Sequence, residues 1–303
     1  MTTAEMIYRA QRMCTPSMPV NGIDEGPRVW FITGTSSGFG RAIAEAVLTR
    51  GERVVATARD LRAVKDLADR APGCIRAYAL DVTDPATVTA AVAGAIEEFG
   101  RIDVLVNNAG RGLVGALEEL SEEEIHAVLG TNVLGVAAVT RAVLPHMRAR
   151  RSGHIVQMSS VGGVVGTPGH AIYATTKFAL EGMSEALAGE VSPLGIRITI
   201  VEPGPFRTDF AGRSMRFATQ IADYRDTPAG VLRERFSGHD GAQPNDPVKA
   251  AQAILRAVDD DTSPLRLPLG PEAVTLIRRK LQRQLADLDS WETVSLDTRY
   301  PGA

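Results

Sequence analysis

The chain reads as an α/β protein: a single domain built on a doubly wound parallel sheet of about seven strands, with helices on both faces. Three observations predict this. Strand-length apolar runs alternate with helical patterns from about residue 28 to 270, as in a parallel sheet covered on two sides. The first apolar run passes directly into a glycine-rich turn and then into an apolar-rich helix, the unit that cradles a dinucleotide pyrophosphate. No linker-like run divides the 303 residues, and that length is ample for a sizeable core.

The elements follow in order. Residues 1–27, with Met6, Met13, Met18 and several prolines, read as an N-terminal extension. Residues 28–33 form the first strand, followed by Gly34-Thr35-Ser36-Ser37-Gly38-Phe39-Gly40 and a helix starting with Ala42, Ile43 and Ala44. Residues 53–58 and 75–80 read as the next strands, and a helix begins near Pro85. The strand at 102–106 runs into Asn107-Asn108-Ala109-Gly110. Ser121-Glu122-Glu123-Glu124 has the form of a capping box opening the helix that carries Asn132. A long helix over 169–191 carries Tyr173 and Lys177, and a strand at 196–201 leads into Pro203-Gly204. Residues 205–246 are longer than an ordinary connection, and loops of that size are usually functional or disordered. After residue 270, a helix from Pro271 to about Leu288 and a loose tail holding Trp291 and Tyr300 complete the chain.

Glycine suits the first turn because side chains would keep backbone N–H groups away from a pyrophosphate. The helix N-terminus adds free N–H groups and a partial positive charge. The same stretch satisfies Gly-x-Ser-x-Gly, the nucleophile elbow of hydrolases, with Ser36 as nucleophile and His239 as a nominal base. That alternative leaves Gly40, Tyr173 and Lys177 without a role. A phosphate loop of the Walker type is excluded, because Arg41 rather than lysine follows Gly40. Downstream, Tyr173 and Lys177 stand one helical turn apart, with Ser160 thirteen residues before the tyrosine. Free tyrosine titrates near ~10, and a nearby ammonium favours the phenolate. Tyr-x-x-x-Lys also arises by accident, with a buried tyrosine and a solvated lysine.

Thr33-Gly34-x-x-x-Gly38-x-Gly40, Asn107-Asn108-Ala109-Gly110, Asn132, Ser160, Tyr173-x-x-x-Lys177 and Pro203-Gly204 occur together and in order. With them the chain resembles the short-chain dehydrogenase/reductases, typical branch, over about residues 28–270. The runs Ser160-Val161-Gly162-Gly163 and Lys177-Phe178-Ala179-Leu180-Glu181-Gly182 resemble the 17β-hydroxysteroid-dehydrogenase-like group. The resemblance implies a Rossmann-type catalytic domain that interconverts an alcohol and a ketone or aldehyde with a nicotinamide cofactor. It implies that Tyr173 is the acid–base, that Lys177 lowers its pKa and binds the nicotinamide ribose, and that Ser160 orients the substrate oxygen. Asn132 would anchor a proton relay behind Lys177. Cofactor contacts are implied at Gly34, Ser36, Ser37, Gly38, Phe39, Gly40, Asp81, Val82, Asn108, Ala109, Gly110, Pro203, Gly204 and Thr208. Asp81 could instead cap the helix beginning near Pro85, and Asn132 could simply bond backbone within its helix. The segment at 205–246 is implied to be a substrate lid, and Phe206, Phe210, Met215, Phe217, Ile221 and Tyr224 give it an apolar lining suited to a bulky apolar substrate. A homodimer or homotetramer is implied as well. A catalytically idle, NADP-sensing or scaffold protein on this fold is the alternative.

The residue ending the second strand bears on the cofactor. NAD enzymes usually place an acid there for the ribose 2′-hydroxyl, whereas arginine accepts a 2′-phosphate. Here Ala58 holds that position and Arg59 follows it, which favours NADP over NAD, although a shift of one residue would offer Asp60 to the ribose. A net charge of −3 with interspersed signs gives no nucleic-acid footprint. Cys14 and Cys74 make no disulfide framework, and neither they nor the five histidines show metal-ligand spacing. No apolar stretch reads as long enough to span a bilayer, and residues 1–27 lack a signal-peptide core; a cytoplasmic protein is expected.

Overall fold

The computed structural model describes residues 26–238 and 241–300. The methionine-bearing stretch at 1–25, Cys14 and His239 lie outside the described residues. Strand β1 (Val29–Ile32) is followed by helix α1 (Gly38–Thr49), β2 (Arg53–Ala58), α2 (Lys65–Arg70), β3 (Ile75–Ala79), α3 (Pro85–Phe99) and β4 (Val104–Asn107). Next come a short strand β5 (Gly112–Val114), α4 (Glu122–Leu129), α5 (Val136–Arg150), β6 (Gly153–Met158), α6 (Ala171–Val191) and β7 (Ile196–Pro203). The chain ends with β8 (Met215–Phe217), α7 (Pro228–Gly238), α8 (Pro247–Asp259), β9 (Arg266–Leu269) and α9 (Pro271–Leu296).

Seven strands pair in the order β3-β2-β1-β4-β6-β7-β9, all parallel. Each strand alternates between two cores. Trp30 and Ile32 join the layer under α1 and α8, whereas Val29 and Phe31 join the layer under α3, α5 and α6. Burial on both faces explains why β1 is apolar throughout rather than alternating. Strand order reverses between β1 and β4, and the crevice at such a reversal, beyond the carboxyl ends of the strands, is where doubly wound sheets bind ligands.

Local signals set the element ends. Ser121 Oγ accepts from Glu124 N at 3.2 Å and Glu124 Oε2 accepts from Ser121 N at 3.0 Å, completing the capping box. Asp84, not Asp81, caps α3, accepting from Ala86 N at 2.9 Å. Between α4 and α5 the backbone makes a π-helical segment over Gly130–Gly135, and Asn132 lies inside it. Such segments are rare and cluster at functional sites.

Two expectations need correction. The last helix runs to Leu296, so Trp291 belongs to it rather than to a loose tail. Its side beyond Ile277 is exposed, including Arg278, Arg279 and Arg283. The continuous helical run Glu122–Arg150 is apolar and long enough, by length and composition, to cross a membrane, contrary to the sequence reading. Val128, Val136, Val139, Val143 and Met147 on that run are nonetheless buried in the fold, as in a core helix. The segment expected as a lid, 205–246, holds β8, a 3₁₀ turn at Ala222–Tyr224, and α7.

Candidate active site

The carboxyl ends of β1 and β4 are stitched together by Thr33 and Asn108. Thr33 Oγ1 accepts from the backbone N–H groups of Asn108 and Ala109, each at 2.9 Å. Asn108 Nδ2 donates to the carbonyls of Thr33 at 2.9 Å and Gly34 at 3.0 Å. Gly34 has φ +70°, which glycine adopts without strain. A Cβ on Gly40 would stand 2.3 Å from the Gly34 carbonyl oxygen and 2.5 Å from Asn108 Nδ2, so only glycine allows the helix to start this close. Ser37 stands at the N-cap of α1 with its side chain making no capping bond, and the first turn holds no acidic residue. The turn therefore offers free N–H groups without a competing carboxylate, as a pyrophosphate requires.

Other expected cofactor residues surround this turn. Thr208 overhangs Gly38, where an added Cβ would come within 3.3 Å of its Cβ. Phe39 packs on Phe206, ring centroids 5.1 Å apart. Gly204 N donates to Leu269 O at 2.9 Å, holding the Pro203-Gly204 turn against β9. Asp81 accepts from Thr83 N at 2.9 Å and Thr83 Oγ1 at 2.7 Å. These bonds, with the charges of Arg59 and Arg111 added, hold its carboxyl below the usual range. Val82 is buried, and a Cβ on Gly135 would meet its side chain at 2.6 Å, so that side chain faces the helix layer. Ser36 is half-buried in the turn. Of the four described histidines, His126, His154 and His170 bond or stack on Glu122, Thr199, Tyr173 and Phe236, not on Ser36.

Asn107 points the other way. Its Nδ2 donates to Thr140 Oγ1 at 2.9 Å and Gln157 Oε1 at 3.0 Å, tying β4 to α5 and β6. Asn132, on the π segment, accepts from Arg111 N at 2.9 Å and donates to Arg111 O at 2.9 Å and Thr176 Oγ1 at 3.1 Å. Arg111 was not singled out in the sequence. Its guanidinium is held below its ordinary pKa by burial first and then by the charge of Arg59.

The turn Ser160–Gly163 brings the serine to the tyrosine. Ser160 Oγ accepts from Gly162 N at 3.0 Å, and a Cβ on Gly162 would lie 3.4 Å from Ser160 Oγ and 3.3 Å from Tyr173 Cε1. Glycine there keeps the tyrosine edge open to the serine. Tyr173 and Lys177 are both buried, at 8 % and 7 % exposure. Burial pushes the Tyr173 phenol up to about 12, against the pull of a hydrogen bond from Ser160. Lys177 Nζ donates to Met158 O at 2.8 Å and sits 5.8 Å from the Tyr173 ring centroid. Burial lowers its pKa to about 8. The expected lowering of the Tyr173 pKa by Lys177 does not appear in this geometry: burial sets the direction of the shift, and the ammonium is directed at a backbone carbonyl. A Cβ on Gly110 would come within 3.3 Å of Asn132 Oδ1 and 3.9 Å of Lys177 Nζ, so the β4 turn and the tyrosine–lysine pair adjoin.

The long segment closes one side. β8 pairs with β5 in parallel, with Gly112 opposite Met215. A Cβ on Gly112 would meet Met215 Sδ at 2.5 Å and Phe210 Cζ at 3.0 Å, and the Phe210 ring lies 5.7 Å from that of Tyr173. Phe210 and Met215 thus line the wall beside Tyr173. Tyr224 does not, since its hydroxyl donates to Glu118 at 2.8 Å, and Phe217 and Ile221 are exposed.

Comparison with known proteins agrees with this architecture. The short chain dehydrogenase family matches residues 28–217. Oxidoreductase BOA17 of Botryotinia fuckeliana is 41 % identical over 271 residues, 89 % of this chain and 98 % of that protein. The 3-ketodihydrosphingosine reductase of Bacteroides thetaiotaomicron is 40 % identical over 81 % of this chain and 88 % of its own. Human 17-beta-hydroxysteroid dehydrogenase type 1 is 34 % identical over 84 % of this chain and 80 % of its own. Among solved structures, a short-chain dehydrogenase from Streptomyces avermitilis superposes with TM-score 0.86 at 44 % identity, covering 91 % of this chain and all of that one. A Burkholderia phymatum enzyme in complex with NAD has TM-score 0.75 at 26 % identity, covering 85 % of this chain and 95 % of that one. ElxO with NADP bound has TM-score 0.69 at 26 % identity, covering 82 % and 99 %. The glycine turn at the strand reversal, the adjoining tyrosine–lysine pair and these likenesses lead to one assignment: the chain belongs to the short-chain dehydrogenase/reductase family of NAD(P)-binding oxidoreductases, in its 17β-hydroxysteroid-dehydrogenase-like group.

Proposed function

We propose that this oxidoreductase interconverts an alcohol and a ketone or aldehyde on a bulky, mainly apolar substrate, with NADPH preferred over NADH. The observation that carries the reading is the junction at Gly110, which sets the cofactor turn directly against Asn132 and Lys177. When bound, the nicotinamide supplies the hydride. The chain's own residues hold it and manage the proton. The N–H groups of the Gly34–Gly40 turn and of α1 would receive the pyrophosphate, and Asp81 would contact the adenine ring.

Tyr173 gives its proton to the carbonyl oxygen during reduction. A phenol pushed up to about 12 remains protonated at neutral pH and is ready to act as the acid. Ser160, whose hydroxyl neighbours that phenol, orients the same oxygen. Lys177 is set by Met158 O and stands behind the tyrosine, where it favours the phenolate that forms as the proton leaves. The amide of Asn132 is fully engaged with Arg111 and Thr176, so any part it plays in a proton relay falls to its main-chain carbonyl.

The cofactor preference rests on Arg59 and Asp60. Asp60 caps the turn that follows, accepting from Arg62 N at 3.0 Å and pairing with the Arg62 guanidinium at 2.8 Å. Its carboxylate is thus committed, while Arg59 is exposed at the end of β2 with a planar fork suited to a 2′-phosphate. The substrate class rests on Phe210 and Met215 beside Tyr173, and on the sphingoid-base and steroid chemistry in the names of two relatives. The test is loss of NADPH absorbance against a panel of carbonyl compounds, compared with Tyr173→Phe. Turnover confined to small hydrophilic sugars would remove the apolar substrate. NADPH binding without turnover on any carbonyl would instead favour a cofactor sensor.

A further inference from the structure

The inward face of α6 carries polar groups where a core-facing helix normally presents apolar ones. Tyr173, Lys177, Glu181 and Ser184 follow one another at helical spacing, and all four are buried. The first two belong to the proposed proton site, which leaves Glu181 and Ser184 without a use. Glu181 shares its surroundings with Glu202 on β7, and the two are 6 % and 1 % exposed. A single guanidinium serves both. Arg266 Nε on β9 lies 3.1 Å from Glu181 Oε2 and 3.7 Å from Glu202 Oε1, while its other arm pairs with the exposed Glu185. Both oxygens of Glu202, Glu181 Oε1 and the hydroxyls of Ser159 and Ser184 have no geometrically formed hydrogen bond.

One cation cannot offset two buried carboxylates and a third at the surface, and an unpaired buried carboxylate is too costly to stay ionised. A proton on one of them removes that charge and adds a donor to a cluster rich in acceptor oxygens. Glu202 is the deeper, and the farther from Arg266. Burial, and then the charge of Glu181, push its carboxyl up to about 7, with Arg266 opposing. Glu181 has closer ties to the reaction site. Burial raises its own carboxyl too, opposed first by Ser159 and then by Arg266, and its charge raises the pKa of Lys177 against burial. It also packs under the turn bearing Ser160, where a Cβ on Gly163 would meet Ser159 Oγ at 2.6 Å and Glu181 Cγ at 3.0 Å.

We propose that Glu202 holds one proton so that Glu181 stays ionised, and that the Glu181 carboxylate is the counter-charge that keeps Lys177 an ammonium. Glu181 is then a positioning residue acting through Lys177, and this rests on the role given to Lys177 above. The groups facing the pair are Lys177 and Glu185 from α6, Arg266 from β9 and the Ser159 hydroxyl from the end of β6.

The experiment uses the full chain with Glu181→Gln and Glu202→Gln. Glu181→Gln is expected to move the alkaline limb of the pH–rate profile for carbonyl reduction to lower pH by ~1 unit, since Lys177 loses its counter-charge. Glu202→Gln, which mimics the protonated acid, is expected to leave that limb in place. Its Tm advantage over the native protein should widen by roughly 3–8 °C between about pH 5 and 7 and level off above, because over that range the unfolded native chain ionises Glu202 before the folded chain does. An unmoved limb in Glu181→Gln, or a Tm gap that stays flat with pH, overturns the proposal. The limb is also read in the pH dependence of NADPH binding, so a protein that binds but does not turn over still answers. If Glu181→Gln does not fold, the Glu202→Gln melts decide.

Discussion

Asn132 brackets the backbone of Arg111 from both sides, accepting from its N–H and donating to its carbonyl, each at 2.9 Å. The same amide donates to Thr176 on α6, so one side chain fastens the cofactor turn to the helix of Tyr173 and Lys177. Asn132→Asp keeps the shape but loses both donated bonds. It is expected to lower stability by about 1–3 kcal/mol and to reduce kcat more than it raises KM. Urea unfolding and steady-state kinetics check this; native stability in the variant would mean that the bracket carries no strain-bearing contact.

Tyr173→Phe removes the hydroxyl next to Ser160 and nothing else. Carbonyl reduction is expected to fall by about 10²–10⁴-fold with NADPH binding kept. A smaller loss, in a variant that melts normally, would place the proton on another group.

Arg59→Ala should weaken NADPH binding by roughly 10–100-fold, the loss of one charge-assisted phosphate contact. NADH binding should stay as it was. Equal weakening of both cofactors, measured by fluorescence titration, would show that Arg59 does not read the 2′-phosphate.

His170 lies between the rings of Tyr173 and Phe236, at 5.3 and 4.9 Å. Burial pushes its pKa from the ordinary histidine value down to about 4. The stability it contributes is therefore present above pH ~6.5, where both states are neutral, and is lost as pH falls through ~4 because only the unfolded chain takes up the proton. His170→Phe should shrink the stability lost between pH 7 and 4 by about 1–3 kcal/mol. Unchanged acid sensitivity in denaturation curves at the two pH values would sink the prediction.

Gly40→Ala inserts a Cβ 2.3 Å from the Gly34 carbonyl and 2.5 Å from Asn108 Nδ2, between partners that are themselves bonded. A cost of about 1–3 kcal/mol and the loss of any NADPH-induced thermal shift are expected. A shift equal to that of the native protein would mean the turn relaxes without harm.

What could be read along the chain was what depends on neighbours in sequence. Apolar runs gave β1 to β4 and β7 within two residues at each end but left β6 unread, and Ser121-Glu122-Glu123-Glu124 announced a capping box that forms as expected. The glycine turn and the residues 107–110 were legible because tight turns and close backbone approach restrict residue type. Asp81 and Asp84 stand three apart, and only the fold decides that Asp84 caps α3 while Asp81 binds Thr83. The extent of α9 to Leu296 was missed because its exposed end has no strong stop signal before that point.

By itself, the sequence determined a parallel α/β sheet with a nucleotide turn at its first strand and a tyrosine, lysine and serine at helical and turn spacing. Tertiary structure alone decided what those groups feel. It buried Tyr173 and Lys177, so that desolvation raises one pKa and lowers the other, aimed Lys177 at Met158, and set Phe210 rather than Tyr224 beside Tyr173. It also brought Glu181, Glu202 and Arg266 together from three elements. Spacing along a chain fixes which face a residue shares, whereas burial and long-range pairing depend on which surfaces pack together, and those contacts fix the energies of charge and proton.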